Sequence, residues 1–182
     1  NLDLSAAGDN YTEASSNLLM AGIATPVSIN CPPVDEEVYE LIINKGLGQI
    51  VNLQTDIVIL SSLTIISGTL SAGTRTITMN GSIWDNQGTI SGAGYFDPST
   101  GRVVFVPTGG TITINGDNDW YNFQCTQDDA LFIFQSKRTQ KVLAGGDFWV
   151  EASGTANRIT LRSDQDVGGP TPWVPPPPVP GG

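Results

Sequence analysis

The sequence predicts an all-β fold, a short parallel β-helix (solenoid). Three observations predict it. Short segments rich in β-branched and aromatic residues recur along most of the chain, separated by Gly, Asn and Ser. Windows of helical periodicity are few. The strand signals come in triplets about 20 residues long, within the range of repeat architectures. An antiparallel β-sandwich or jelly roll would show the same short strands and turns, and is the alternative.

Three zones follow along the 182 residues. Residues 1–36 read as an N-terminal arm. They are polar, with short apolar stretches at Leu18-Leu19-Met20 and Val27-Ser28-Ile29, and end in Cys31-Pro32-Pro33. Residues 37–163 read as the solenoid body. Residues 164–182 form a Pro-rich tail, with seven prolines in its last thirteen positions.

In the body, strands are expected at 57–60, 63–66, 76–79, 103–106, 111–114, 131–134 and 159–161. Turn residues at Ser67-Gly68, Asn80-Gly81, Gly92-Ala-Gly94, Gly109-Gly110, Asn115-Gly116 and Gly145-Gly146 punctuate them. Val34, Val38, Leu41 and Ile42 fall at helical spacing after two prolines. Tyr39-Glu-Leu-Ile-Ile43 also reads as a strand. An internal repeat supports the strand. An offset of 82 aligns Val38-Tyr-Glu-Leu41 with Trp120-Tyr-Asn-Phe123, and Ile77-Thr-Met79 with Ile159-Thr-Leu161. That predicts a degenerate duplication, 38–79 against 120–161. A body of this length at about 20 residues per coil makes six or so coils, stacked ~4.8 Å apart.

Composition narrows function. Eight Lys+Arg against eighteen Asp+Glu leave a net charge of −10, with no His. Without a basic cluster the chain is not expected to hold a nucleic-acid backbone. No apolar run approaches the ~20 residues of a membrane span. Without His, a Ser-His-Asp triad and the usual zinc sites are excluded. Low Lys, abundant Ser, Thr, Asn and Gly, and an acidic balance point to an extracellular or cell-surface setting. The chain opens on Asn1 with no signal-like apolar region, which reads as a processed or excised product. Asn10-Tyr-Thr12 and Asn80-Gly-Ser82 match the N-glycosylation pattern. Cys31 and Cys125 form a disulfide or remain two buried thiols.

One motif order has a known counterpart. Val38-Tyr-Glu-Leu-Ile-Ile-Asn44 is followed by Leu63-Thr-Ile-Ile-Ser-Gly-Thr-Leu70, Trp84-Asp-Asn-Gln-Gly-Thr-Ile90 and Gly101-Arg-Val-Val-Phe105. Trp120-Tyr-Asn-Phe123 and Ile159-Thr-Leu-Arg-Ser163 complete the series. Over about 38–163 this resembles the β-solenoid repeat modules of large secreted bacterial surface proteins of adhesin type. The resemblance implies a solenoid fold and a secreted location, and brings no catalytic residue. The short chain and its polyproline end favour a self-contained subunit over one segment of a long array.

Candidate chemistry is sparse. Asp117, Asp119, Asp128 and Asp129 form one acidic group, and Asp35, Glu36, Glu37 and Glu40 another. A carboxylate pair ~5–9 Å apart serves glycoside cleavage, and a lyase also needs basic partners. Lys137, Arg138 and Lys141 are one small cluster, and Arg75, Arg102, Arg158 and Arg162 are scattered. The carboxylates therefore read as turn residues, and no enzyme and no cofactor are expected. Gly116-Asp-Asn-Asp119 lacks the loop and closing Glu of an EF-hand, and reads as a turn, not a calcium site. Trp84, Trp120 and Trp149 read as core. Trp173, among prolines, reads as a partner contact.

The expected function is that of an extracellular structural subunit that assembles with itself into a surface or matrix filament. Val27 and Ile29 would donate a strand to a neighbour. Trp173 and the polyproline II rod Pro175, Pro176, Pro177 and Pro178 would dock on another copy. An adhesin-type module that binds polysaccharide through exposed aromatics is the alternative.

Overall fold

The computed structural model describes residues 2–3, 17–22, 27–31, 37–87, 94–152 and 158–165. Within them every element is a strand and every strand pairing is parallel. The chain winds as a three-faced β-solenoid, visiting the first, second and third faces in turn.

Strand β1 (Leu2–Asp3) lies on the second face, β2 (Asn17–Gly22) on the first and β3 (Val27–Asn30) on the second. β4 (Glu37–Lys45) bends from the third face to the first, and β5 (Ile50–Leu53) lies on the second. β6 (Ile57–Ser71) crosses all three faces in one run. β7 (Thr76–Met79), β8 (Ile83–Asn86) and β9 (Gly94–Asp97) make the next turn, on the third, first and second faces. β10 (Arg102–Phe105) and β11 (Thr111–Asn115) lie on the third and first, and β12 (Asn118–Cys125) bends from the second to the third. β13 (Leu131–Phe134), β14 (Gln140–Val150) and β15 (Thr160–Ser163) complete the stack.

Strand alternation builds the core, because every second side chain points inward. The third face carries the inward ladder Val38–Ile59–Met79–Phe105–Cys125–Val150. The first carries Leu18–Leu41–Leu63–Trp84–Ile114–Phe134. From Val38 to Val150 these rungs span about five turns, where the sequence predicts six or so coils. The lower turns are filled by aliphatic side chains. The upper ones hold Trp84, Phe96, Phe105, Trp120, Phe123 and Phe132, all buried. Their rings meet edge-on or tilted, such as Trp84 and Phe96 at 4.9 Å and Phe105 and Phe123 at 4.7 Å.

Corners are tight. Gly116 has φ +80, and a Cβ there would sit 1.8 Å from the Asn86 carbonyl oxygen of the turn below. Only glycine fits such a corner. Carboxylates bind the turns together. Asp56 accepts from the Thr76 N–H at 2.9 Å, Asp117 from Thr139 at 2.7 Å and Asp164 from Ser136 at 2.9 Å.

Two expectations are corrected, and a third holds. Residues 17–22 and 27–31 are not a free arm: they form the first turn, β2 on β4 and β3 on β5. The reason is alternation, which sends Leu18 and Met20 inward against Leu41 and Ile43. The strand reading of Tyr39–Ile43 holds, since these residues lie in β4. The 82-residue offset joins different faces, since Leu41 stands in the first-face ladder and Phe123 in the third. The recurring unit is the single turn, whose length varies: Met79 to Phe105 spans 26 residues, Phe105 to Cys125 spans 20.

Candidate functional site: the open upper end of the solenoid

The last described turn is open on its upper side. β14 pairs with β12, and β15 with β13, each on one side only among the described residues. Register assigns the inward positions of this turn. Val142 lies over Trp120, Phe148 over Phe123, and Leu161 over Phe132. Every lower member of these pairs is buried, whereas Val142 is 37%, Phe148 49% and Leu161 47% exposed. The side chains are core by position and surface by exposure, because no further turn covers them among the described residues.

The same end holds a cleft of about 230 Å³, lined by Trp120, Phe123, Phe134, Gln140, Val142 and Phe148. Phe148 forms one wall by stacking on Phe123, ring centroids 4.8 Å apart and planes at 21°. Gln140 is the polar group of the lining. Its Oε1 accepts from Trp120 Nε1 at 3.2 Å and from Asn118 Nδ2 at 3.2 Å, and its Nε2 donates to the Gly116 carbonyl at 2.8 Å.

Gln140 tops a buried polar spine. Asn118 Oδ1 accepts from Trp84 Nε1 at 2.9 Å and from Asn86 Nδ2 at 3.2 Å. Asn86 Nδ2 also donates to the Asp117 carbonyl at 2.8 Å. The spine fixes the rings that floor the cleft. Nearby, Asp119 is buried, and its Oδ2 accepts from the Tyr95 hydroxyl at 3.4 Å while Oδ1 has no partner. Burial first, then the Asp119 and Asp97 carboxylates, raise the pKa of the Tyr95 hydroxyl above its ordinary value.

The sequence-predicted residues are spread over this frame. Ile29 is buried and pairs in register with Leu53 of its own chain, and Val27 pairs with Val51. Strand β3 therefore lies between β1 and β5 of its own chain. Trp173, Pro175, Pro176, Pro177, Pro178, Asn10, Asp35 and Glu36 lie outside the described residues. The Cys31–Cys125 bridge does not form, and both thiols are buried. Cys31 belongs to the turn of Val38, four rungs below Cys125. At about 4.8 Å per rung that is ~19 Å, beyond the ~7 Å between Cα atoms that a disulfide spans.

Gly116-Asp-Asn-Asp119 is a corner whose side chains diverge. Asp117 faces Arg138 at 3.6 Å, Asn118 enters the core, and Asp119 turns to Tyr95. Among the described residues no three His, Cys, Asp or Glu converge on a metal position. Trp84 and Trp120 are core as expected, but Trp149 is 54% exposed. Its neighbour Phe148 takes the inward position, and alternation turns Trp149 outward beside Gln124. Its Nε1 donates to Glu151 at 2.9 Å. Sequence reasoning passed over the cleft residues Phe134, Val142 and Phe148. Their signal is register, a property of the stack that local composition does not carry.

No helix among the described residues is long and apolar enough to cross a membrane. No protein-family model matches the chain, and neither curated proteins nor solved structures yield a match.

Proposed function

We propose that the chain is an extracellular structural subunit that assembles with itself into a surface or matrix filament. The observation that carries this is the last described turn, which has core-type side chains at its surface and two strand edges with no partner strand among the described residues. Such edges template pairing with another chain unless they are blocked. An apolar patch of this kind marks an interaction site. The resemblance to adhesin-type solenoid modules supports the secreted setting, as do the scarce lysines and the acidic balance. The role is non-catalytic on this reading. Asp56, Asp117 and Asp164 are engaged in holding backbone N–H groups of adjacent turns, not in facing a cleft. The tail with Trp173 and Pro175–Pro178 remains a proposed second link between subunits.

The test is sedimentation velocity across a concentration series, with negative-stain electron microscopy of the same samples. Concentration-dependent oligomers and fibres are expected. A single monomeric species at every concentration overturns the proposal.

Exposed Trp149 favours a second reading, a module that stacks polysaccharide on its indole. That reading predicts a change in tryptophan fluorescence on adding polysaccharide, abolished by Trp149→Ala. Unchanged fluorescence with a broad glycan panel sinks it.

A further inference from the structure

Charge divides the molecule along its axis. Up to residue 40 the described carboxylates are Asp3, Glu37 and Glu40, with no Lys or Arg. Residues 131–165 hold five of the eight Lys+Arg (Lys137, Arg138, Lys141, Arg158 and Arg162) and three carboxylates. All five cations are exposed. The acidic segment supplies the lowest described strands. Asp3 is in β1, and exposed Glu37 opens β4 at the bottom of the third face. Lys141 lies in β14 and Arg162 in β15, with Lys137 and Arg138 shortly before β14 and Arg158 shortly before β15.

We infer that the upper end receives the lower end of a second copy, head to tail. The inference rests on the self-assembly reading above and specifies its contact. Three observations select this occupant. First, all described strands are parallel, so a copy stacked end-on with the same polarity presents strands running in the same direction as β14 and β15. The hydrogen-bond ladder then continues across the joint. Second, the ends carry opposite charge, which steers them together and sets the polarity. Two upper ends would bring cations against cations. Third, the chain's own last thirteen residues include seven prolines. Proline has no N–H to give to a strand edge, so this segment is a poor partner for β14 and β15. Leu18 and Met20 at the lower end are only 9% and 7% exposed. The lower end therefore contributes strand edges and charge, while the upper end contributes the apolar surface. A contact between unlike ends does not close on itself and grows as a filament.

Charge reversal of each end separately, then in mixture, tests the contact. One full-length variant carries Lys141→Glu, Arg158→Glu and Arg162→Glu. The other carries Asp3→Lys, Glu37→Lys and Glu40→Lys. Far-UV circular dichroism and thermal melting establish that each is folded. Sedimentation velocity and negative-stain microscopy then read assembly. Each variant alone is expected to associate at least about tenfold more weakly than wild type, since its two ends now carry like charge. An equimolar mixture restores long alternating filaments, because each reversed end meets its complement. Variants that assemble alone as well as wild type overturn the inference and leave the self-assembly reading standing. So does a mixture of folded chains that stops at dimers, the mark of a joint between two upper ends. So does a mixture that stays monomeric, as when the chain's own residues 166–182 cover the end. A wild-type chain that never assembles overturns the self-assembly reading itself.

Discussion

A polar side chain inside an apolar solenoid costs free energy unless its atoms find partners. Asn118 finds them on three turns: its Oδ1 accepts from Trp84 and Asn86, and its Nδ2 donates to the Gly116 and Asn115 carbonyls and Gln140. Asn118→Leu keeps the volume but strands the Trp84 N–H. A loss of about 1–3 kcal/mol is expected, read from the shift of a urea unfolding curve. The thiols supply a second residue-scale prediction. Burial raises the pKa of Cys125, outweighing the lowering hydrogen bond from the Gln127 backbone, and Cys31 is equally buried. A thiol reagent should find both cysteines slow in the folded chain and both fast in denaturant. One disulfide, and hence no reactive thiol after denaturation without reductant, contradicts this. Tyr95 makes the third. Its hydroxyl holds its proton above the ordinary value of about 10, so the unfolded chain releases that proton first. Stability therefore falls as pH rises through the unfolded value, and the fall ends once the folded hydroxyl ionises. In a tyrosinate absorbance titration, Tyr95→Phe should remove a late-ionising component.

Elements in this molecule are defined as much by corners as by strands. At Gly116 a methyl group meets the Asn86 carbonyl in a left-handed backbone conformation. Gly116→Ala should cost about 2 kcal/mol or more, the left-handed strain plus the displacement of a neighbouring turn, measurable by thermal or chemical unfolding. Corners also separate what was legible in the sequence from what was not. Thr76–Met79, Thr111–Asn115 and Leu131–Phe134 are readable almost to the residue, because alternation runs between turn residues on both sides. Ser67-Gly68 reads as a turn between two strands, yet β6 continues through it. Gly68 turns the corner with one positive φ while its neighbours keep pairing with the turns beside them. β2 is hidden inside a polar segment because what makes it a strand is the next turn, Leu41 and Ile43, whereas β3 reads as a strand and only its partner, Val51 and Leu53 of the same chain, is illegible. The cleft was illegible for the same reason. Phe148 and Trp149 are adjacent aromatics, and only pairing with Phe123 and Gln124 decides which of them points inward.

Along the whole molecule stability is a sum over neighbouring turns, so position in the stack sets how often a turn opens. A middle strand such as β10 is held on both sides, by β7 and β12, and its Phe105 is surrounded by aromatic rings. β14 and β15 are held on one side, with Phe148 and Leu161 half in water. Amide exchange should therefore be fastest in β14 and β15 and slowest in β6, β7, β10, β11 and β12 in a dilute, unassembled sample. Assembly through the ends changes this profile in a way that assembly through the faces does not. Stacking a second copy on the upper end adds a partner for β14 and β15 and covers Val142, Phe148 and Leu161. Protection should then rise in β14 and β15 of one copy and in β2 (17–22) of the next, while β6, β7, β10, β11 and β12 stay as they were. Lateral association of solenoid faces would leave both ends fast, because backbone groups in the middle of a face are already paired and those at the ends would gain no partner. Exchange measured by mass spectrometry on assembled and dispersed samples decides between them. A slowing of exchange on assembly that is confined to the two ends identifies an end-on polymer, and unchanged ends in a visibly assembled sample rule it out.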